Sequence, residues 1–370
     1  MESSPSDPTL LSGDKQLLVK RGTGCEIWDI AQGRRIWAHA GVIREHIAVQ
    51  PVEDGRQLLL VTCTGEPLSY LFANLNDPAQ IDCKNVLRFL FVDLTTDTET
   101  LFMSVRLPPS FAQVCEPVIA GDFWAATVHR IDRGGNWDTV VLIVNYKEQR
   151  FILLNCNLVH KNILDGHLLA LTVTKTALKS EVILFSASSF KEAHWQPFTS
   201  EALTAAAPVR IEPLVLQRAE YPFLLASTPF VSVHSCILRS GSYMVSTHAA
   251  SPGSRDRNDP RRPSFHRYRL TLPTSGSAPP NWEWIFSAGT LADVSIDSFT
   301  YAGYGLSFAW GRRLLEPRVV LQFRPATATN VDGQRALPLA PNAPGRVSLS
   351  PDSGALTVCS AHGVDVYYYE

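Results

Sequence analysis

Between residues 16 and 39 the chain alternates short apolar runs with tight polar breaks. Runs at 16–20, 25–30 and 35–39 are separated by Gly22-Thr23-Gly24 and by Gln32-Gly33-Arg34. Glycine supplies the positive φ that short hairpin turns require, so this pattern predicts a three-stranded antiparallel meander. The same kind of unit recurs. A second begins near 46–50, continues through 56–63 and, after a long insertion at 64–84, resumes at 86–94 and 99–107. In its Arg88–Leu94 run, Phe89, Phe91 and Asp93 share one strand face while Arg88, Leu90 and Val92 share the other. Apolar residues on both faces predict a strand covered from two sides.

Further units follow at 123–131, 137–146 and 150–156; at 167–174, 181–186 and 194–198; and at 230–238, 243–250, 265–272 and 282–286. The last two fall at 295–301, 305–310 and 318–324, and at 346–350, 355–360 and 364–369. Residues 199–208, with Glu201-Ala202-Leu203 and Ala205-Ala206-Ala207, form the one stretch whose composition suits a short helix. Units recurring roughly every 35–60 residues match the period of four-stranded propeller blades. Ile27-Trp28-Asp29-Ile30 before a glycine turn also suits the third strand of a WD-like blade. The expectation is therefore an all-β chain, a β-propeller of about seven WD-like four-stranded blades. Residues 1–14 would be a flexible lead-in and 15–370 a single propeller domain with a basic loop near 251–264. A pair of β-sandwiches is the structural alternative. Ring closure is expected from N-terminal residues pairing with the last blade, which removes an exposed sheet edge.

Composition narrows the function only slightly. The 370 residues are 45% hydrophobic and 18% charged with a formal net charge of −2, so no overall field draws the chain to nucleic acid or an anionic membrane. The N-terminus carries no signal-peptide pattern, no apolar run is long enough to span a bilayer, and no Asn-x-Ser/Thr sequon occurs. The seven cysteines are scattered without a CxxC pair, as buried reduced thiols would be. These features predict an intracellular protein, cytoplasmic or nuclear.

Catalytic signatures are sparse. There is no GxSxG elbow, no GxxxxGK[ST] loop and no dinucleotide-binding glycine pattern. The histidines show no metal-ligand spacing, and His129 and His234 read as half-buried strand residues. Asp29, Asp93 and Asp132 sit at strand ends, where carboxylates satisfy turn amides. The reading is non-catalytic, with no cofactor and no metal; an enzyme or small-ligand propeller with a polar central funnel is the alternative.

Two local features suggest binding. In 251–269, Arg255, Arg257, Arg261, Arg262, Arg267 and Arg269 outnumber Asp256 and Asp259. Clustered guanidinium groups suit an acidic or phosphorylated protein partner, although a solvated blade loop gives the same composition. Ser264 follows Arg261-Arg262-Pro263 in a loose basophilic-kinase pattern. Trp282 and Trp284 alternate on one predicted strand, suited either to packing against the next blade or to a surface patch.

The opening IWDIAQGRRIW, the loosely spaced units and the closing SLSPDSGALTVCSAHGVDVYYYE resemble the C-terminal propeller region of fungal (basidiomycete-type) F-box proteins. That resemblance implies substrate recruitment to a cullin ubiquitin ligase, with ligase components as partners. About fifteen residues precede the first predicted strand, too few for the three helices of an F-box, so the chain is expected to be an F-box-less relative or a shortened version. Deleting residues 255–262 should leave the melting temperature within about 2 °C of wild type, in line with the small effects of surface changes. A drop of many degrees in a thermal-unfolding scan would mean that the loop is structural.

Overall fold

In the computed structural model, the described residues are 6–11, 15–21, 24–39, 46–52, 57–64, 85–131, 137–156, 158–174, 179–186, 189–220, 230–235, 241–249, 264–273, 278–289, 295–301, 306–313, 316–323, 334–337, 346–349, 356–360 and 363–367. They form seven antiparallel sheets, built almost entirely from neighbours in sequence. The first sheet is β1 (Ser6–Leu10), β2 (Gln16–Arg21), β3 (Gly24–Asp29) and β4 (Arg34–Ala38). The second is β5 (His46–Val52), β6 (Gln57–Thr64), β7 (Val86–Asp93) and β8 (Thr98–Arg106). The third holds β9 (Phe111–Ala120), β10 (Phe123–Ile131), β11 (Trp137–Asn145) and β12 (Arg150–Leu154). The fourth begins with β13 (Leu158–Leu164), β14 (His167–Thr174) and β15 (Lys179–Phe185).

The two-residue β16 (Gln196–Pro197) adds to β12 of the third sheet, and β17 (Leu214–Glu220) completes the fourth. The expectation that 194–198 would be the fourth unit's outer strand is thus corrected. Between β16 and β17 lies helix α1 (Ser200–Ala205), whose N-cap Thr199 accepts a hydrogen bond from the Ala202 amide at 3.2 Å and whose Leu203 is buried. The fifth sheet is β18 (Phe230–Ser235), β19 (Ser242–Ala249), β20 (Ser264–Thr271) and β21 (Asn281–Gly289). The sixth is β22 (Ser295–Tyr301), β23 (Leu306–Arg313), β24 (Glu316–Phe323) and β25 (Gln334–Leu337). The seventh has β26 (Arg346–Leu349), β27 (Leu356–Ser360) and β28 (Gly363–Tyr367).

Side-chain alternation explains how the sheets stack. On β6, Leu58 and Leu60 point into a core shared with Leu18, Cys25, Ile27 and Trp37 of the first sheet. Leu59, Val61 and Cys63 point the other way, into the core shared with the third. The next sheets repeat the device. Val140, Leu142 and Val144 of β11 face the second sheet, while Val141 and Ile143 face the fourth. On β15, Ile183 and Phe185 face the third sheet, and Val182 and Leu184 face Tyr243, Val245, Tyr268 and Leu270 of the fifth. A middle strand is therefore apolar at every position rather than at every second one, as two-sided burial requires. The first strands of the sheets neighbour one another: β5 lies against β9, β9 against β13, β13 against β18, and β22 against β26.

Two expectations about the N-terminus change. Ser6–Leu10, expected within a lead-in, is β1, with its register shift between Ser6 and Thr9 at Pro8. A sheet-edge strand tolerates a proline because its outward N–H has no ladder partner to lose. This strand pairs with β2 of its own sheet and lies against β26 and β27; among the described residues no strand adds to β28. Closure by N-terminal pairing with the last sheet is thus not what the described strands do. Other local expectations hold. Asp29 accepts from the Gln32 amide at 2.9 Å, and Asp93 from the Thr95 amide at 2.8 Å. Asp132 lies outside the described residues. Cys25, Cys63, Cys115 and Cys156 are thiols outside any disulfide, and burial pushes Cys25 up to about 12 and Cys156 to about 11.

Leu142→Ala should cost about 2–5 kcal/mol in urea unfolding, because it removes a fully buried side chain from a core shared by two sheets. Leu101→Ala, at a side chain 55% exposed on β8, should change stability by less than about 0.5 kcal/mol. Equal losses at both sites would contradict the two-sided packing.

Candidate functional site

Two turns that join the first two strands of neighbouring sheets build a pocket. Gly121-Asp122 joins β9 to β10, and Asp165-Gly166 joins β13 to β14. Asp165 (φ 44°) and Gly166 (φ 75°) both adopt the left-handed conformation that a tight two-residue hairpin demands. The pocket, about 490 Å³, is lined by these turns and by Asn162, Ile163, Val233 and Tyr243, and so draws on three successive sheets.

Its walls are tied in place. Gln50 Nε2 donates to the Gly121 carbonyl at 2.7 Å and to Tyr146 Oη at 3.3 Å, while Tyr146 Oη itself donates to Gly121 O at 2.9 Å. One carbonyl thus adds a polar link between the second and third sheets at the pocket wall. Burial, with Asp122 close by, raises the Tyr146 phenol. Lys147 Nζ lies 2.7 Å from Asp122 Oδ1, and this hydrogen bond raises the ammonium. Burial followed by the neighbouring Asp165 carboxylate raises the Tyr243 phenol strongly, so it stays a neutral donor. The lining therefore offers two carboxylates, an amide and a phenol, a set suited to a cationic or donor-rich segment.

A second polar cluster lies between the first strands of the third and fourth sheets. The Lys161 ammonium is fully buried and donates to Thr127 Oγ1 at 2.8 Å and to the Cys115 carbonyl at 3.5 Å, with Glu116 Oε2 4.0 Å away. Desolvation lowers Lys161 to about 8, with Glu116 opposing the shift. Glu116 sits at φ 48°, where β9 bulges against β10 between Cys115 and Val118. Burial also lowers half-buried His129, whose Nδ1 is 3.1 Å from Thr139 Oγ1. Among the described residues no group of three or more metal-ligating side chains converges.

The arginines singled out by sequence are not gathered at this pocket. Arg269 pairs with Glu283 at 3.1 Å across β20 and β21. Arg267 and Ser264 lie on β20, where Ser264 pairs with Ala249 and Gly289. Arg255, Arg257, Arg261 and Arg262 lie outside the described residues, as do the side chains of His234, Arg267 and Ser264. Of the two tryptophans, Trp282 stacks on Tyr268 with ring centroids 4.5 Å apart and packs against the core between the fourth and fifth sheets, whereas Trp284 is 58% exposed. Sequence reasoning missed the pocket, although Asp165-Gly166 after an apolar run is a strong hairpin signal.

The chain is similar in fold to solved structures along its full length. The β-propeller domain of Cps50 (Swd1) from Myceliophteria thermophila aligns over 100% of this chain and 97% of its own, with a TM-score of 0.55 and 12% identity. Hydrazine synthase from Kuenenia stuttgartiensis aligns over 100% of this chain and 96% of its own, with a TM-score of 0.52 and 12% identity. At such identities the likeness concerns the fold: the chain is an all-β protein of antiparallel sheets with the architecture of a β-propeller. No family profile matches the sequence, and no curated protein matches it. Among the described residues, no helix is long and apolar enough to cross a membrane.

The unfolded chain holds the Lys161 proton up to pH 10.5, the folded chain only to about 8. Proton uptake therefore favours unfolding: the cost is fully present below pH 8 and disappears as pH rises towards 10.5. Relative to a Lys161→Met variant, the wild type should gain about 3 kcal/mol of unfolding free energy between pH 7 and pH 10.5. A stability difference that stays flat across this range would show that Lys161 is not buried as an ammonium.

Proposed function

We propose that this chain is a seven-bladed propeller that recognises protein partners and performs no chemistry of its own. The observation that carries the reading is the pocket at the turn end of the third, fourth and fifth sheets. Three sheets contribute to it, and the Gln50–Gly121–Tyr146 hydrogen bonds tie its wall to the second sheet. A rigid scaffold that presents turn residues suits recognition. Its carboxylates favour a basic segment of the partner, while the arginines at 255–262 would engage an acidic or phosphorylated stretch. In the F-box setting suggested by the sequence resemblance, that partner is a substrate delivered to a cullin ligase within the cell.

One observation favours a second reading. Glu116, half exposed and 4.0 Å from the buried Lys161 ammonium on the first strands, is the kind of polar group that a small-ligand propeller with a polar funnel would present.

Affinity purification of tagged wild type and Asn162→Phe from native cells separates the two. Phenylalanine suits a strand position and fills the pocket. Loss of the stoichiometric partner from Asn162→Phe, with melting within about 2 °C of wild type, is the expected result. Retention of every partner by the filled pocket would contradict the recognition reading.

A further inference from the structure

Six of the seven sheets have at least four strands, whereas the seventh ends at β28 among the described residues. Beside β28 lies a cavity of about 390 Å³, lined by Val364, Asp365 and Val366 of the seventh sheet and by Leu17, Val19, Trp28, Asp29 and Ile30 of the first. Its place is where a fourth strand of the seventh sheet would run against the first.

The complete sheets show what such a strand carries. In the first and fourth sheets a carboxylate on the third strand meets an arginine on the fourth, Glu26 with Arg35 at 3.1 Å and Glu181 with Arg218 at 2.9 Å; in the fifth the order is reversed, Arg269 of the third strand meeting Glu283 at 3.1 Å. The third strand of the first sheet, Gly24-Cys25-Glu26-Ile27-Trp28, has the same pattern as Gly363-Val364-Asp365-Val366-Tyr367 of β28. Asp365 thus takes the place of Glu26, is exposed on the outer strand, and lies opposite in strand parity to Val364 and Val366. In the first sheet the fourth strand answers Glu26 with Arg35 and buries Trp37.

We propose that the seventh sheet accepts an extended segment of a partner protein as its fourth strand. That segment carries a basic residue to meet Asp365 and a neighbouring large apolar side chain to fill the cavity against Trp28, Leu17 and Val19. Backbone pairing to the β28 edge holds the segment, and the two side chains select it. This deepens the recognition reading and rests on it, but uses a different surface from the turn-end pocket.

The probe is a fluorescein-labelled peptide with the sequence of residues 32–39, QGRRIWAH, which spans the fourth strand of the first sheet. Anisotropy titration of the 370-residue chain should show saturable binding. Asp365→Lys should weaken it about fivefold without moving the melting temperature, and glutamates in place of the peptide arginines should restore binding to that variant. A peptide with proline at the tryptophan position, which in the first sheet pairs with Ile27, should not bind, since it loses both a ladder residue and the large apolar side chain. Asn162→Phe should bind the peptide like wild type. The proposal is overturned if wild type shows no saturation at millimolar peptide, or if Asp365→Lys and the proline peptide bind unchanged. Should the peptide fail while the affinity-purified partner still depends on Asn162, strand addition is wrong and recognition through the pocket stands. Failure of both overturns both.

Discussion

The structure depends on one constraint: the middle strands are apolar on both faces and must be covered on both. Leu58 and Leu60 bury against one neighbour, Leu59 and Val61 against the other, and the same split recurs at Val140–Val144 and at Val182–Phe185. A sheet of this kind cannot stand alone in water, since one exposed face would leave several large side chains solvated at roughly 1.5–3 kcal/mol each. Stacking of sequential sheets follows, and it brings the turns at Gly121-Asp122 and Asp165-Gly166 together. The pocket is a consequence of that gathering.

Much of this was legible in the sequence. The two-sided run at Arg88–Leu94 separates as its alternation predicts, with Phe89 facing the third sheet and Leu90 and Val92 the first. The hairpin at Gln32-Gly33-Arg34 turns through Gly33 at φ 60°. The short helix and the turn-capping roles of Asp29 and Asp93 are also local matters, decided within a few residues.

What escaped sequence reading shares a physical cause. The first strands β1, β9 and β13 lie at sheet edges, where ladder pairing is one-sided. They therefore tolerate Pro8, the Glu116-Pro117 bulge, and polar residues such as Lys161 and Asn162, all of which erase the alternation that marks a strand. The turn-end pocket was lost with them, because two of its walls are the ends of β9 and β13. Residues 194–198 were assigned to the wrong sheet, since sequence proximity cannot reveal that Gln196 pairs with Phe151. The arginine cluster stood out by composition, yet Arg269, the member whose side chain is described, is used in a cross-strand pair with Glu283.

The account stands or falls on coverage of both faces, and native-state hydrogen exchange of the intact chain reads that coverage strand by strand. It predicts that the amides of Val140–Val144 and Val182–Phe185 exchange only through global unfolding, and that those of β1 and β28 exchange through far cheaper local opening. Exchange of the β11 and β15 amides at the rate of the edge strands would contradict it.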